Sequence, residues 1–108
     1  MNKEDLILEC TCSSCPEQYD VCIESETNPI GYIRFRYGRL TCYPCDKEGN
    51  ILWHEGPLVQ WDSISPISEL PEKIRPLILD SCKEAIASYY TIKDNLANAD
   101  FIMKTLSL

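Results

Sequence analysis

Apolar and polar residues alternate along the first half of the chain and fall into a helical repeat along the second. Tyr19, Val21 and Ile23 interleave with Asp20, Cys22 and Glu24, which is the period of a half-buried strand. Leu6-Ile7-Leu8 opens a short apolar run that predicts an earlier strand, and Thr27-Asn28-Pro29 marks a turn. From Gly31 to Cys45 the alternation continues on both sides of Tyr37-Gly38, so a strand, a two-residue turn and a second strand are expected. Asp46 to Asn50 predicts a further turn leading into a strand at Ile51-Leu52-Trp53. The expectation is four or five short antiparallel strands over about residues 5–55.

Pro57, Pro66 and Pro71 predict an irregular linker over 56–70. After it, Ile74, Leu77, Ile78, Cys82, Ala85, Ile86 and Tyr89 recur at helical spacing and predict an amphipathic helix over about 71–91. Ser68 is a candidate N-cap, with Pro71 in the opening turn and Glu69 and Glu72 near the positive end of the helix dipole. Pro76 either kinks this helix or moves its start. Residues 92–108 read as a short second helix or an arm. Leu96, Phe101, Ile102 and Leu106 there need a surface to cover, on their own domain or across a homo-oligomer. The fold class expected is α+β: one domain, a small antiparallel sheet with the helix packed on one face.

At 108 residues the chain suits a single domain with a modest core. A formal charge of −7 excludes a general duplex-binding role, because affinity for duplexes comes mainly from neutralising phosphates with Lys and Arg. No apolar run approaches the roughly 20 residues of a membrane span, and the run after Asp5 is too short for a signal peptide, so the cytoplasm is the expected compartment.

Against that acidic background the predicted hairpin carries three arginines. If Tyr37-Gly38 is the turn, Arg36 faces Arg39, Arg34 faces Thr41 and Tyr32 faces Tyr43 on one side of the ribbon. Ile33, Phe35, Leu40 and Cys42 fall on the other side and supply the core. Like charges directly opposite each other are unfavourable, so the Arg36/Arg39 pair calls for an anion. Asp20 and Glu24, on the same side of the preceding strand, are one source. An acidic patch on a protein partner is a second. A bound ligand is the third: guanidinium forks suit phosphate or carboxylate, and tyrosine rings suit a planar group. On that reading Tyr32, Arg34, Arg36, Arg39 and Tyr43 form a nucleotide-binding surface, with Trp53 or Trp61 closing one side.

Seven cysteines offer a competing site. Their odd number favours thiols or a metal over disulfides. Cys12-Ser13-Ser14-Cys15 and Cys42-Tyr43-Pro44-Cys45 repeat a C-x2-C spacing, so Cys12, Cys15, Cys42 and Cys45 are candidate ligands for a structural zinc in a ribbon-like module that contacts another protein. Cys10 competes within the first cluster, and Cys42 is also called for by the core face of the hairpin. Cys22 and Cys82 read as buried thiols. Catalysis is not expected: His54 is the only histidine, and no nucleophile elbow, phosphate loop or paired-carboxylate site is present.

The stretch CPEQYDV (Cys15 to Val21) followed by GYIRFRYG (Gly31 to Gly38) resembles a group of small proteins of bacteria, prophages and phages. In that group a PEQYDV-like strand leads to a GYxRxRxG hairpin and then a C-terminal helix, which matches residues 15–90. The resemblance implies that Tyr32, Arg34 and Arg36 belong to a shared pattern, and that pattern does not require all four cysteines. A phage setting implies action by binding, either blocking a host defence protein or sequestering a nucleotide-derived immune signal.

Overall fold

The alternation along the first half folds into one antiparallel sheet in which each strand pairs with the next in the chain. The computed structural model describes residues 2–12, 17–24 and 26–106. Among these, five strands run in the order β1-β2-β3-β4-β5. They are β1 (Leu6–Cys12), β2 (Glu17–Ile23), β3 (Gly31–Arg36), β4 (Arg39–Pro44) and β5 (Val59–Asp62). One long helix, α1 (Arg75–Leu106), follows them, and its first half packs across one face. The layout is the expected α+β domain.

The hairpin has the expected turn. Tyr37 and Gly38 both take left-handed backbone angles, with φ of 53° and 74°. Two positive φ angles in a two-residue loop match the right-handed twist of the flanking strands, and the glycine adopts its angle without steric cost. The resulting register pairs Tyr32 with Tyr43, Arg34 with Thr41 and Arg36 with Arg39. Side chains therefore sort as predicted, and Ile33, Leu40 and Cys42 are fully buried.

That inner face meets Cys82 and Ile86 of α1, both completely buried, with Leu6, Val21, Ile30, Ile67 and Ala87 completing the cluster. Each large aliphatic side chain removed from water there contributes about 1.5–3 kcal/mol. Gly31 sets how closely the helix approaches: a Cβ at this position would lie 2.7 Å from Ile86 Cδ1 and 3.1 Å from Val21 Cβ. Gly31→Ala is thus expected to overpack the helix–sheet contact and cost about 1–3 kcal/mol. A lower urea midpoint with an unchanged m-value checks this; an unchanged midpoint contradicts it.

Several boundaries differ from expectation. Ile51-Leu52-Trp53 is not a strand: Ile51 makes one isolated bridge to Cys45, and Trp53–Glu55 is a 3-10 turn. The fifth strand instead lies inside the expected linker, where Val59 and Trp61 point to the core and Gln60 and Asp62 outward. The helix starts at Arg75, with Pro76 in its first turn, so this proline marks the start rather than a kink. Ile74 and Leu77 are exposed, and the buried stripe runs instead through Ile78, Cys82, Ile86 and Tyr90. Nor does the helix end near residue 91: the expected arm is its direct continuation to Leu106.

Ser68 caps no helix. It belongs to a 3-10 turn, Ile67–Glu69, that is held by Glu17. Glu17 Oε1 accepts from the Ile67 amide at 2.9 Å and from the Tyr19 hydroxyl at 3.0 Å. Its Oε2 accepts from the Ser68 hydroxyl at 2.9 Å and more weakly from the Ser68 amide at 3.3 Å. A carboxylate that is only 3 % exposed is tolerated because both oxygens are occupied. This clasp ties the loop before α1 to the start of β2.

Candidate functional site

The face of the sheet opposite α1 is polar and aromatic. Outward side chains come from alternate positions of every strand, and the rows run Glu9–Asp20–Tyr32–Tyr43 and Gln18–Arg34–Thr41–Gln60. Arg36, Arg39 and Asp62 form a third, shorter row. Tyr32, Arg34, Arg36, Arg39 and Tyr43 therefore share one surface.

The anion opposite the arginine pair is Asp62, from the strand that lies within the expected linker. Arg39 Nε donates to Asp62 Oδ1 at 2.7 Å, and the Gln60 amide bonds the same carboxylate at 3.2 and 3.3 Å. Both partners are more than half exposed, so the pair orients the side chains and contributes little stability. Asp20 and Glu24 do not take the role considered for them. Asp20 sits in register between Glu9 and Tyr32, where burial and the Glu9 charge raise its pKa above the ordinary carboxylate range. Neither is ion-paired among the described residues.

Arg34 and Arg36 are held by rings rather than carboxylates. The Arg34 guanidinium lies 5.2 Å from the centre of the Trp53 ring. That of Arg36 lies 4.9 Å from the Tyr37 ring, with a long 3.4 Å contact to its hydroxyl. Trp53 is itself fixed edge-on by Tyr43, at 4.8 Å between centroids, and by Tyr32 at 6.1 Å. Cation–π contacts of this kind position a guanidinium while leaving its N–H fork available to another acceptor. Trp53 keeps about half its surface in solvent, 49 %. Trp61 is elsewhere: it pairs in register with Leu40 and packs against the core, so it cannot close this surface.

A depression of about 480 Å³ lies between these groups, lined by Arg34, Arg36, Tyr37, Gly38, Arg39, Asp62 and Ser63. It gathers three guanidinium groups around one carboxylate in a chain of net charge −7. Trp53 adjoins it through Arg34. Tyr37 and Asp62 are absent from the set expected from sequence, although the positive φ of a two-residue turn is a signal that Tyr37 projects.

Among the described residues the cysteines do not assemble in the same way. Cys42 and Cys45 are three residues apart on an extended segment, and side chains at that spacing leave on opposite faces. Cys42 lies in the core with its thiol 3.8 Å from the Cys82 carbonyl oxygen. The contact with Cys82, together with burial, pushes its pKa far up. Cys45 is 1 % exposed, and burial pushes its pKa up to about 11, with the charges of Asp20 and Asp46 adding to the shift. The C-x2-C spacing at 42–45 is therefore not a knuckle presenting two thiolates to one point. Cys12 ends β1, and Cys15 lies outside the described residues. Among the described residues no three Cys, His, Asp or Glu side chains converge on a metal position. Cys22 and Cys82 are buried thiols.

The chain matches no protein-family model, no curated protein and no solved structure. The side-chain geometry of this face is therefore the guide to function. No helix among the described residues is long and apolar enough to cross a membrane.

Proposed function

We propose that this protein is a non-enzymatic binding protein that holds a small anionic ligand with a planar ring, of the nucleotide type, on its Arg/Tyr/Trp face. One observation carries the reading: Arg34 and Arg36 are pre-positioned on aromatic rings beside an open depression, and the carboxylate that lines it, Asp62, is already committed to Arg39. The guanidinium forks of Arg34 and Arg36 supply donors for phosphate. Trp53, about half exposed and held edge-on by Tyr43 and Tyr32, supplies ring surface beside Arg34 for a base to stack on. In a phage or mobile-element setting, such a surface fits sequestration of a nucleotide-derived immune signal in the cytoplasm. The alternative of blocking a host defence protein would use the same arginines against an acidic patch. A zinc-ribbon module draws no support from the placement of Cys42 and Cys45.

Calorimetric titration with ADP, and separately with its two halves, adenosine and inorganic phosphate, tests this proposal. ADP is expected to bind more tightly than either half. Trp53→Ala should weaken ADP about tenfold more than it weakens phosphate, because ADP loses its stacked base as well as the ring that seats Arg34, whereas phosphate loses only the latter. No binding of ADP to the wild-type chain, or equal loss for ADP and phosphate in the tryptophan variant, would count against the arrangement.

A further inference from the structure

The last turns of α1 stand clear of the sheet. Every residue from Thr91 to Ala99 is exposed, as are Met103 and Lys104, yet the helix continues without a break to Leu106. At 1.5 Å per residue this overhang is about 24 Å long. It contains Thr91, Asn95, Asn98 and Thr105, all weak helix formers, and free helices of about this length are marginal in water.

Its apolar residues are not scattered. Ile78, Cys82, Ala85, Tyr89, Ile92, Leu96, Ala99, Met103 and Leu106 follow one another at alternating spacings of four and three, which is the a/d repeat of a coiled-coil seam. The first four of these positions are at least partly covered by the protein's own fold. Beyond them the described seam positions are uncovered: Ala99 is exposed, as are Ile92 at 58 %, Leu96 at 61 % and Met103 at 67 %.

We propose that the overhang is a self-association surface, and that two copies of this chain pair their helix ends antiparallel along the seam. The charges favour a second copy as the occupant. Lys93, Asp94, Asp100 and Lys104 cancel within the overhang, so the formal −7 lies wholly outside it. Antiparallel pairing sets the two acidic domains at opposite ends of the contact. It also places Ile92 opposite Met103 of the other copy and Leu96 opposite Ala99, large against small in the central layers. Parallel pairing would instead put Ala99 against itself and leave a gap.

The flanking e positions add complementarity. Lys93 and Asp100 both occupy e, and e positions face each other in an antiparallel pair, so the dyad brings two opposite-charge contacts together. Lys93 already bonds Glu55 at 2.9 Å, and an ammonium with three donors serves a second carboxylate as well. Two facing half-cylinders of this length bury roughly 1,000 Å² in total, at the lower limit for a specific interface. A reversible dimer is therefore expected rather than an obligate one.

Sedimentation velocity on the full chain, over a concentration series into the high micromolar range, tests this. A dimer of twice the 12.4 kDa chain mass is expected, and a monomer throughout overturns the proposal. Leu96→Asp should weaken association by more than about 100-fold while the near-UV circular dichroism stays unchanged. A dimer as tight as wild type in that variant overturns it too. Orientation is read from charge reversal: Lys93→Glu and Asp100→Lys should each weaken the dimer several-fold, and the double variant should recover most of the loss. Failure of the double variant to recover rules out the antiparallel register.

Discussion

Glu17→Ala is expected to lower stability by about 2–4 kcal/mol, because it strands the buried Ile67 amide and the part-buried Tyr19 hydroxyl, and releases the Ser68 amide and hydroxyl that now converge on the same carboxylate. A domain of this length is stabilised by only about 5–15 kcal/mol in total, so the variant should be close to unfolding at physiological temperature. The effect should also be local at first. The Ile67–Glu69 turn leads into α1, and losing its anchor frees the loop that seats the helix on the sheet. Glu17→Gln keeps one acceptor oxygen and should recover roughly half of the loss. Urea unfolding at neutral pH measures both variants, and a cost below about 1 kcal/mol for alanine would show that the clasp is not the anchor described.

Charge reversal of both ring-held arginines, Arg34→Glu with Arg36→Glu, should reduce ADP affinity by more than about 100-fold. Each single reversal removes a charge-assisted donor and adds a repulsive carboxylate beside Asp62. The fold should survive, because Arg36 is exposed and neither arginine makes an ion pair among the described residues. An unchanged urea midpoint is the control. Loss of binding together with loss of fold would leave Arg36→Glu alone, the more exposed position, as the deciding variant.

The site and the fold differed in how much the sequence revealed. The hairpin was legible in full, because strict alternation on both sides of a Tyr-Gly turn leaves one register that buries Ile33, Leu40 and Cys42 together. That register alone placed all three arginines and both tyrosines on one surface. The element supplying their carboxylate was not legible. Val59–Asp62 is four residues long and lies between Pro57 and Pro66, where breakers outweigh so short an alternation. Glu17 was a readable anomaly: it extends the inward series Tyr19, Val21 and Ile23 by one charged position, which signals a buried partner, though not that the partner is the loop at Ile67. The helix pattern over 71–91 caught the right element, but Leu77 and Ile74 show that apolar spacing alone overcounts the buried stripe. The continuation to Leu106 was hidden because the seam outlasts the surface that covers it.

Native mass spectrometry of the wild-type chain and of Arg36→Glu, each incubated with ADP under reducing conditions, tests the central claim most directly. The same spectrum weighs the nucleotide, the number of chains and any bound metal. The prediction is that the wild-type chain retains the mass of ADP and Arg36→Glu does not. Equal retention by both, or by neither, would contradict a site built on these arginines.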